Sequence, residues 1–153
     1  MDIGGKVISA RRFLYVAAAA LIFFGSFHVG GIFGETVGTV PENHVTVYYF
    51  HGNFRCANCH NIEQYTKEAV EQYFKKELDS GKIVLKIINV ETKGNEHFME
   101  DYRLYTKSVV LSLVKNNKEV KSDNLVKVWE YLSNKDAFCQ YVKREIEGYL
   151  KEL

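Results

Sequence analysis

The 153-residue sequence contains little cysteine and almost no proline: three of the first and one of the second. Three cysteines are too few for the disulfide framework of a small secreted scaffold, so a close cysteine pair indicates redox chemistry or metal binding instead. The single proline and the lack of any repeat or low-complexity tract exclude the solenoid and linker classes. An excess charge of one sign is also missing, since 20 basic residues face 19 acidic ones. Without a concentrated basic face, nucleic acid is not an expected partner.

One apolar stretch, residues 13–34, has the composition of a membrane anchor. Its 22 residues include only Ser26 and His28 as clearly polar members, which is long enough to cross the hydrocarbon core. Residues 1–12 carry three basic side chains, whereas no Lys or Arg occurs between Gly25 and Phe54. By the positive-inside rule we expect a single-pass protein of the cell membrane, with a cytoplasmic N-terminus and the remaining domain outside.

A cleaved signal sequence and a buried helix of the domain are the alternatives for this stretch. No small-x-small cleavage site follows Phe24, which favours an uncleaved anchor. The glycine-rich end of the stretch and the polar residues 35–43 separate it from the next pattern, which argues against a core helix. Residues 35–43 are therefore predicted to be a linker, and residues 44–153 a single domain.

Residues 44–153 have the alternating pattern of an α/β domain. A run rich in β-branched and aromatic residues predicts the first strand, and three- and four-residue apolar spacing predicts helices. The second strand is apolar almost throughout, which favours an inner position in a parallel sheet. We predict strands at 45–50, 83–90, 108–114 and 118–121, and helices at 62–78, 96–105, 125–132 and 136–150, with Trp129 and Met99 in the core and Gly81 closing the first helix.

Cys56 and Cys59 lie between the first predicted strand and the first predicted helix. A helix N-terminus has free N–H groups and a partial positive charge, which favour a thiolate at Cys56. Cys59 is one turn away, close enough to resolve a mixed disulfide formed on Cys56. Arg55 adds a favourable charge, although a solvated surface arginine is the simpler interpretation. The pattern predicts a redox-active disulfide and no bound cofactor.

This order of elements, with the cysteine pair after the first strand, resembles the thioredoxin-like superfamily over about residues 44–121. The segment Val47-Tyr-Tyr-Phe-His-Gly-Asn-Phe-Arg-Cys-Ala-Asn-Cys59 is similar to the membrane-anchored bacterial proteins known as the nitrophenyl compound nitroreductase subunit ArsF family, and so are residues 129–132 and 138–145. The resemblance implies a three-layer thioredoxin-like sandwich with a central mixed sheet of about four strands, preceded by one transmembrane helix. It also implies thiol–disulfide exchange with a redox partner protein, for which a membrane-bound protein is a candidate. It does not by itself imply nitro-group reduction.

Two departures from ordinary thioredoxins affect the expected specificity. Ala57 and Asn58 stand between the cysteines where thioredoxins have Gly-Pro, and Ser108 stands where the superfamily has a cis-proline beside the cysteines. The altered edge favours a dedicated partner over broad reductase activity. Ser108, Arg55 and His60 are the residues that we expect to contact this partner.

Three other interpretations of the motif remain open. Cys56 to His60 also forms the attachment signature for c-type haem. Cys56 and Cys59 with His51 or His60 form a candidate soft-metal or metalloid site, although a structural zinc site needs four ligands. In the third interpretation, Cys56 and Cys59 form a purely structural disulfide. Cys139, on the last predicted helix, is expected to be a buried small residue.

Overall fold

The structure is a computed structural model that describes residues 40–153. The predicted anchor at 13–34 and residues 35–39 of the predicted linker lie outside the described residues. Within the described part, no helix has both the length and the apolar character needed to cross a bilayer.

A four-stranded mixed sheet forms the centre of the domain. Its strands are β1 (His44–His51), β2 (Ile83–Asn89), β3 (Ser108–Lys115) and β4 (Lys118–Asn124), in the spatial order β2-β1-β3-β4. β1 is parallel to β2 and antiparallel to β3, and β3 and β4 form a hairpin. This confirms the predicted mixed α/β architecture with four strands, and the strand order fits a thioredoxin-like fold.

The prediction of an inner position for β2 was wrong. Among residues 40–153, β2 pairs with β1 alone, so it forms one edge of the sheet because no second strand pairs with its outer side. Ile83 is buried, Lys86 is exposed, and the other residues of the strand are half-buried. A continuous apolar run indicates cover on both faces of a strand and says nothing about how many neighbouring strands it has.

Helices α1 (Ala57–Tyr73) and α4 (Lys135–Leu150) cover one face of the sheet. Their periodic apolar side chains meet the inward-facing residues of β1 and β3, which explains why both helices form. The largest fully buried members of this core are Tyr49, Phe138, Ile62, Ile83, Leu111, Leu113 and Ile146. The first helix is predicted to extend to residue 78, but α1 ends at Tyr73. Phe74 separates it from a second short helix, α2 (Lys75–Asp79). Gly81 follows with φ of 73°, and it closes the segment as expected.

A thin third layer covers part of the opposite face. The helix predicted at 96–105 is only α3 (His97–Asp101), because Arg103 adopts a left-handed conformation with φ of 49° and ends it. Phe98 and Tyr102 pack against Tyr48 and Phe50 of β1 with ring centroids 5.2–5.9 Å apart. The predicted three layers are therefore present.

Trp129 and Met99, which were expected in the core, lie at the surface. The segment predicted as a helix at 125–132 is a short 3-10 helix (Val126–Trp129), and Trp129 is 37% exposed. Its indole Nε1 donates a hydrogen bond to the Lys107 carbonyl at 3.2 Å. Met99 on α3 is 44% exposed. Apolar spacing does not show which side chains of a short helix reach the sheet. On α3, Phe98 packs inward and Met99 does not, and on the 3-10 helix Val128 is buried while Trp129 is exposed.

Candidate functional site

Cys56 and Cys59 form a disulfide at the end of β1, with their Cα atoms 5.0 Å apart. The chain leaves β1 at His51, passes through a short loop, and enters α1 at Ala57. Cys56 is the N-cap of this helix and has extended backbone angles. The predicted position of the pair, between a strand and the first helical turn, is confirmed.

The two cysteines cap the helix reciprocally. The backbone N–H of Cys59 donates to Cys56 Sγ at 3.2 Å, and the N–H of Cys56 donates to Cys59 Sγ at 3.0 Å. The first turn of α1 contains no acidic side chain that would offset the positive end of the helix dipole. This environment stabilises negative charge on sulfur, as a thiolate at Cys56 requires.

The two sulfur positions differ in exposure. Cys56 lies before the helix and is half-buried, whereas Cys59 lies within the helix, faces the core and has 0% exposure. An incoming group therefore has access to Cys56 and none to Cys59. This asymmetry is the geometry needed for one attacking and one resolving sulfur.

Arg55 is not the solvated surface arginine that the sequence favoured. Its side chain is 22% exposed, forms an ion pair with Glu63 of α1, and places the guanidinium 5.8 Å from the ring centroid of Tyr49. Glu63 also accepts from Lys67 Nζ at 2.6 Å. Burial raises the pKa of Glu63, but the hydrogen bonds and charges of Lys67 and Arg55 outweigh it and hold this pKa below its usual value. The loop turns Arg55 back over α1, which local spacing does not reveal.

Tyr49 is a site residue that sequence reasoning missed. Its hydroxyl is buried and donates to the Cys59 carbonyl at 2.7 Å, which attaches the first turn of α1 to β1. Burial, offset in part by Arg55, raises the pKa of Tyr49 to about 12. The alternation of β1 places Tyr49 on the same face as Val45 and Val47, and this signal shows which face it occupies but not its bond to Cys59.

The two histidines of the predicted site, His51 and His60, differ in exposure. His60 is exposed on the first turn of α1, and His51 is half-buried at the end of β1 with Nδ1 2.9 Å from the Gly52 carbonyl. Within residues 40–153, no group of three or more His, Cys, Asp or Glu side chains is arranged to hold a metal ion.

Cys139 is buried on α4, as predicted, with Sγ 3.7 Å from the Tyr65 carbonyl. Burial raises the pKa of this thiol, so it carries little thiolate at neutral pH.

Ser108 begins β3 beside Phe50, at the same end of the sheet as the disulfide. It is buried, and its hydroxyl donates to the Thr106 carbonyl at 3.0 Å. No cis peptide bond occurs among residues 40–153. Ser108 therefore lies on a trans peptide at this end of the sheet, and its equivalence to the superfamily's cis-proline stays a prediction.

Comparisons with known proteins find similarity among solved structures. No family model matches the sequence, and no curated protein matches it. A thioredoxin variant from Entamoeba histolytica is 22% identical over 66% of this chain and 81% of its own, with a TM-score of 0.40. Plasmodium falciparum thioredoxin is 17% identical over 69% and 85%, with a TM-score of 0.40, and Fasciola hepatica thioredoxin is 20% identical over 59% and 79%, with a TM-score of 0.37. The strand order and the cysteine geometry, rather than these similarities, indicate which chemistry the site can perform.

Proposed function

We propose that the protein exchanges dithiol and disulfide with a dedicated partner protein, with Cys56 attacking and Cys59 resolving. One observation carries the proposal: the pair caps α1, with Cys56 accessible and Cys59 fully buried. The helix N-terminus favours a thiolate at the accessible position, where a partner's sulfur can approach in line.

Starting from the Cys56 thiolate, the exchange transfers two electrons and one proton to the partner. The Cys56 thiolate attacks one sulfur of a partner disulfide, which forms a mixed disulfide and releases the other partner sulfur as a thiolate. Cys59 then gives its proton to the released partner thiolate and attacks Cys56 Sγ, which closes the Cys56–Cys59 disulfide and releases the second partner sulfur as a thiolate. The reverse sequence oxidises a partner dithiol by the same bonds.

Membrane attachment and a dedicated partner belong to the proposal. The composition of residues 13–34 and the preceding basic segment support a single-pass anchor with the domain on the extracytoplasmic side. Tethering raises the effective concentration of the site at a membrane-bound redox partner. Ser108 at the docking edge supports narrow partner choice. Membership of the ArsF family stays a prediction.

Replacement of Cys59 with Ser tests the exchange mechanism. We expect full-length Cys59→Ser to accumulate in cells as disulfide-linked complexes through Cys56, because the resolving sulfur is missing. The complexes should dissociate on reduction, and they should not form in the Cys56→Ser variant. Cys139→Ser is the matched control. When it is combined with Cys59→Ser, the double variant should trap the same complexes as Cys59→Ser alone. If Cys59→Ser traps nothing while Cys56 still reacts with an alkylating reagent, the exchange mechanism is wrong.

A further inference from the structure

Arg55 and Glu63 form a partly desolvated ion pair next to the disulfide. Arg55 directly precedes Cys56, and Glu63 lies one helical turn after Cys59. Their side chains are only 22% and 19% exposed, so water screens their charges less than it would on an open surface. A charge held here acts on the two sulfurs through protein as well as through solvent.

Tyr49 fixes the guanidinium from the sheet side. The Arg55 group lies over the Tyr49 ring, and the Tyr49 hydroxyl is bonded to the Cys59 carbonyl at 2.7 Å. The sequence of contacts from Glu63 through Arg55 and Tyr49 therefore ends on the backbone of the resolving cysteine. Among residues 40–153, Arg55 Nε is the only buried side-chain nitrogen or oxygen without a hydrogen-bond partner.

We infer that Arg55 is a positioning residue whose charge stabilises the reduced cysteine pair, and that Glu63 limits this effect. The inference rests on the proposed exchange function. A disulfide is neutral, whereas reduction produces thiolate, so a fixed cation lowers the free energy of the reduced form and an anion raises it. Lys67, 2.6 Å from Glu63, offsets part of the negative charge. Arg55 thereby shifts the redox equilibrium towards the dithiol, and Glu63 shifts it towards the disulfide.

The other ionisable groups around the pair act alike in all variants. His51 on β1 and His60 on α1 flank the loop and the first turn, and Tyr49 stays protonated near neutral pH because its pKa is raised to about 12. All variants are compared at the same pH, so any contribution of these two histidines is common to every measurement.

Opposite charge changes at Arg55 and Glu63 test this inference. The full-length chain is equilibrated with glutathione redox buffers, and the equilibrium constant for reduction of the Cys56–Cys59 disulfide is measured. We expect Arg55→Met to lower this constant about three- to tenfold and Glu63→Gln to raise it by a similar factor, where tenfold corresponds to about 30 mV. The pH profile of Cys56 alkylation should move upward by about half a unit for Arg55→Met and downward for Glu63→Gln.

Two further variants separate charge from structure. Glu71→Gln makes the same change at an exposed position on α1 and should leave the equilibrium unchanged. Arg55→Lys keeps the charge but loses the planar contacts, so it should fall between the wild type and Arg55→Met. If Arg55→Met does not fold, the sign of the Glu63→Gln shift decides alone.

The outcomes distinguish this inference from the proposed function. If Arg55→Met and Glu63→Gln shift the constant in the same direction, or neither moves it while the wild type equilibrates normally, the role of Arg55 is refuted and the exchange function stands. If the wild-type pair does not equilibrate with glutathione at all, the proposed function fails.

Discussion

Replacing Tyr49 with Phe removes one buried hydroxyl and leaves the aromatic ring in the core. The hydroxyl is inaccessible to water and donates to the Cys59 carbonyl at 2.7 Å. A net hydrogen bond contributes about 1 kcal/mol, and a buried partner left unsatisfied adds about 1–3 kcal/mol. The Cys59 carbonyl keeps its place in α1 and is only partly orphaned, so we expect Tyr49→Phe to lower the free energy of unfolding by about 2 kcal/mol.

Urea unfolding of the full-length chain at pH 7 measures this loss in the disulfide and the dithiol forms. The hydroxyl is bonded to the backbone and not to sulfur, so the loss should be similar in both forms. Tyr73→Phe is the matched control, because the Tyr73 hydroxyl accepts from Gln140 Nε2 at 3.0 Å in an exposed position. We expect this control to cost less than about 0.5 kcal/mol. A Tyr49→Phe loss no larger than that of Tyr73→Phe, or one confined to a single redox form, would refute the reasoning.

Two further predictions concern stability. Asn134 caps α4 by accepting from the Ala137 N–H at 3.1 Å, so Asn134→Ala should cost about 1 kcal/mol in urea unfolding, and an unchanged midpoint would contradict this. Burial raises the pKa of Tyr49 from 10.0 to about 12, so the unfolded chain loses this proton first. The corresponding stability is present below pH 10 and is lost as the pH rises towards 12. Tyr49→Phe should therefore lose less stability than the wild type between pH 9 and 11.5, and equal losses would count against a buried Tyr49 hydroxyl.

The elements that the sequence predicts best are those whose length matches their periodicity. β1 and β3 are rich in β-branched and aromatic residues, and α4 repeats its apolar positions over four turns, so pattern and packing agree. The errors fall where a long-range choice decides. The apolar run of β2 does not indicate how many strands pair with it, and within the described residues β1 alone does. The left-handed Arg103 that ends α3 likewise leaves no periodic signal.

The site divides in the same way. Three-residue spacing brings Cys56 and Cys59 together at a helix start, because that distance is built into one turn of helix. The bond from Tyr49 and the ion pair from Arg55 depend on how α1 lies across β1 and on the path of the connecting loop. Such contacts join residues 8 and 10 positions apart, where local spacing has no regular geometry.

The segment from Cys56 to His60 satisfies the sequence requirements of two chemistries, and the burial of Cys59 favours one of them. Attachment of haem through both cysteines requires both sulfurs to reach the same group, with His60 as its ligand. Here Cys59 is fully buried, while His60 is exposed. Haem attachment would draw Cys59 out of the core and break the bond between its carbonyl and Tyr49. Disulfide exchange requires access only to Cys56, which the fold already provides.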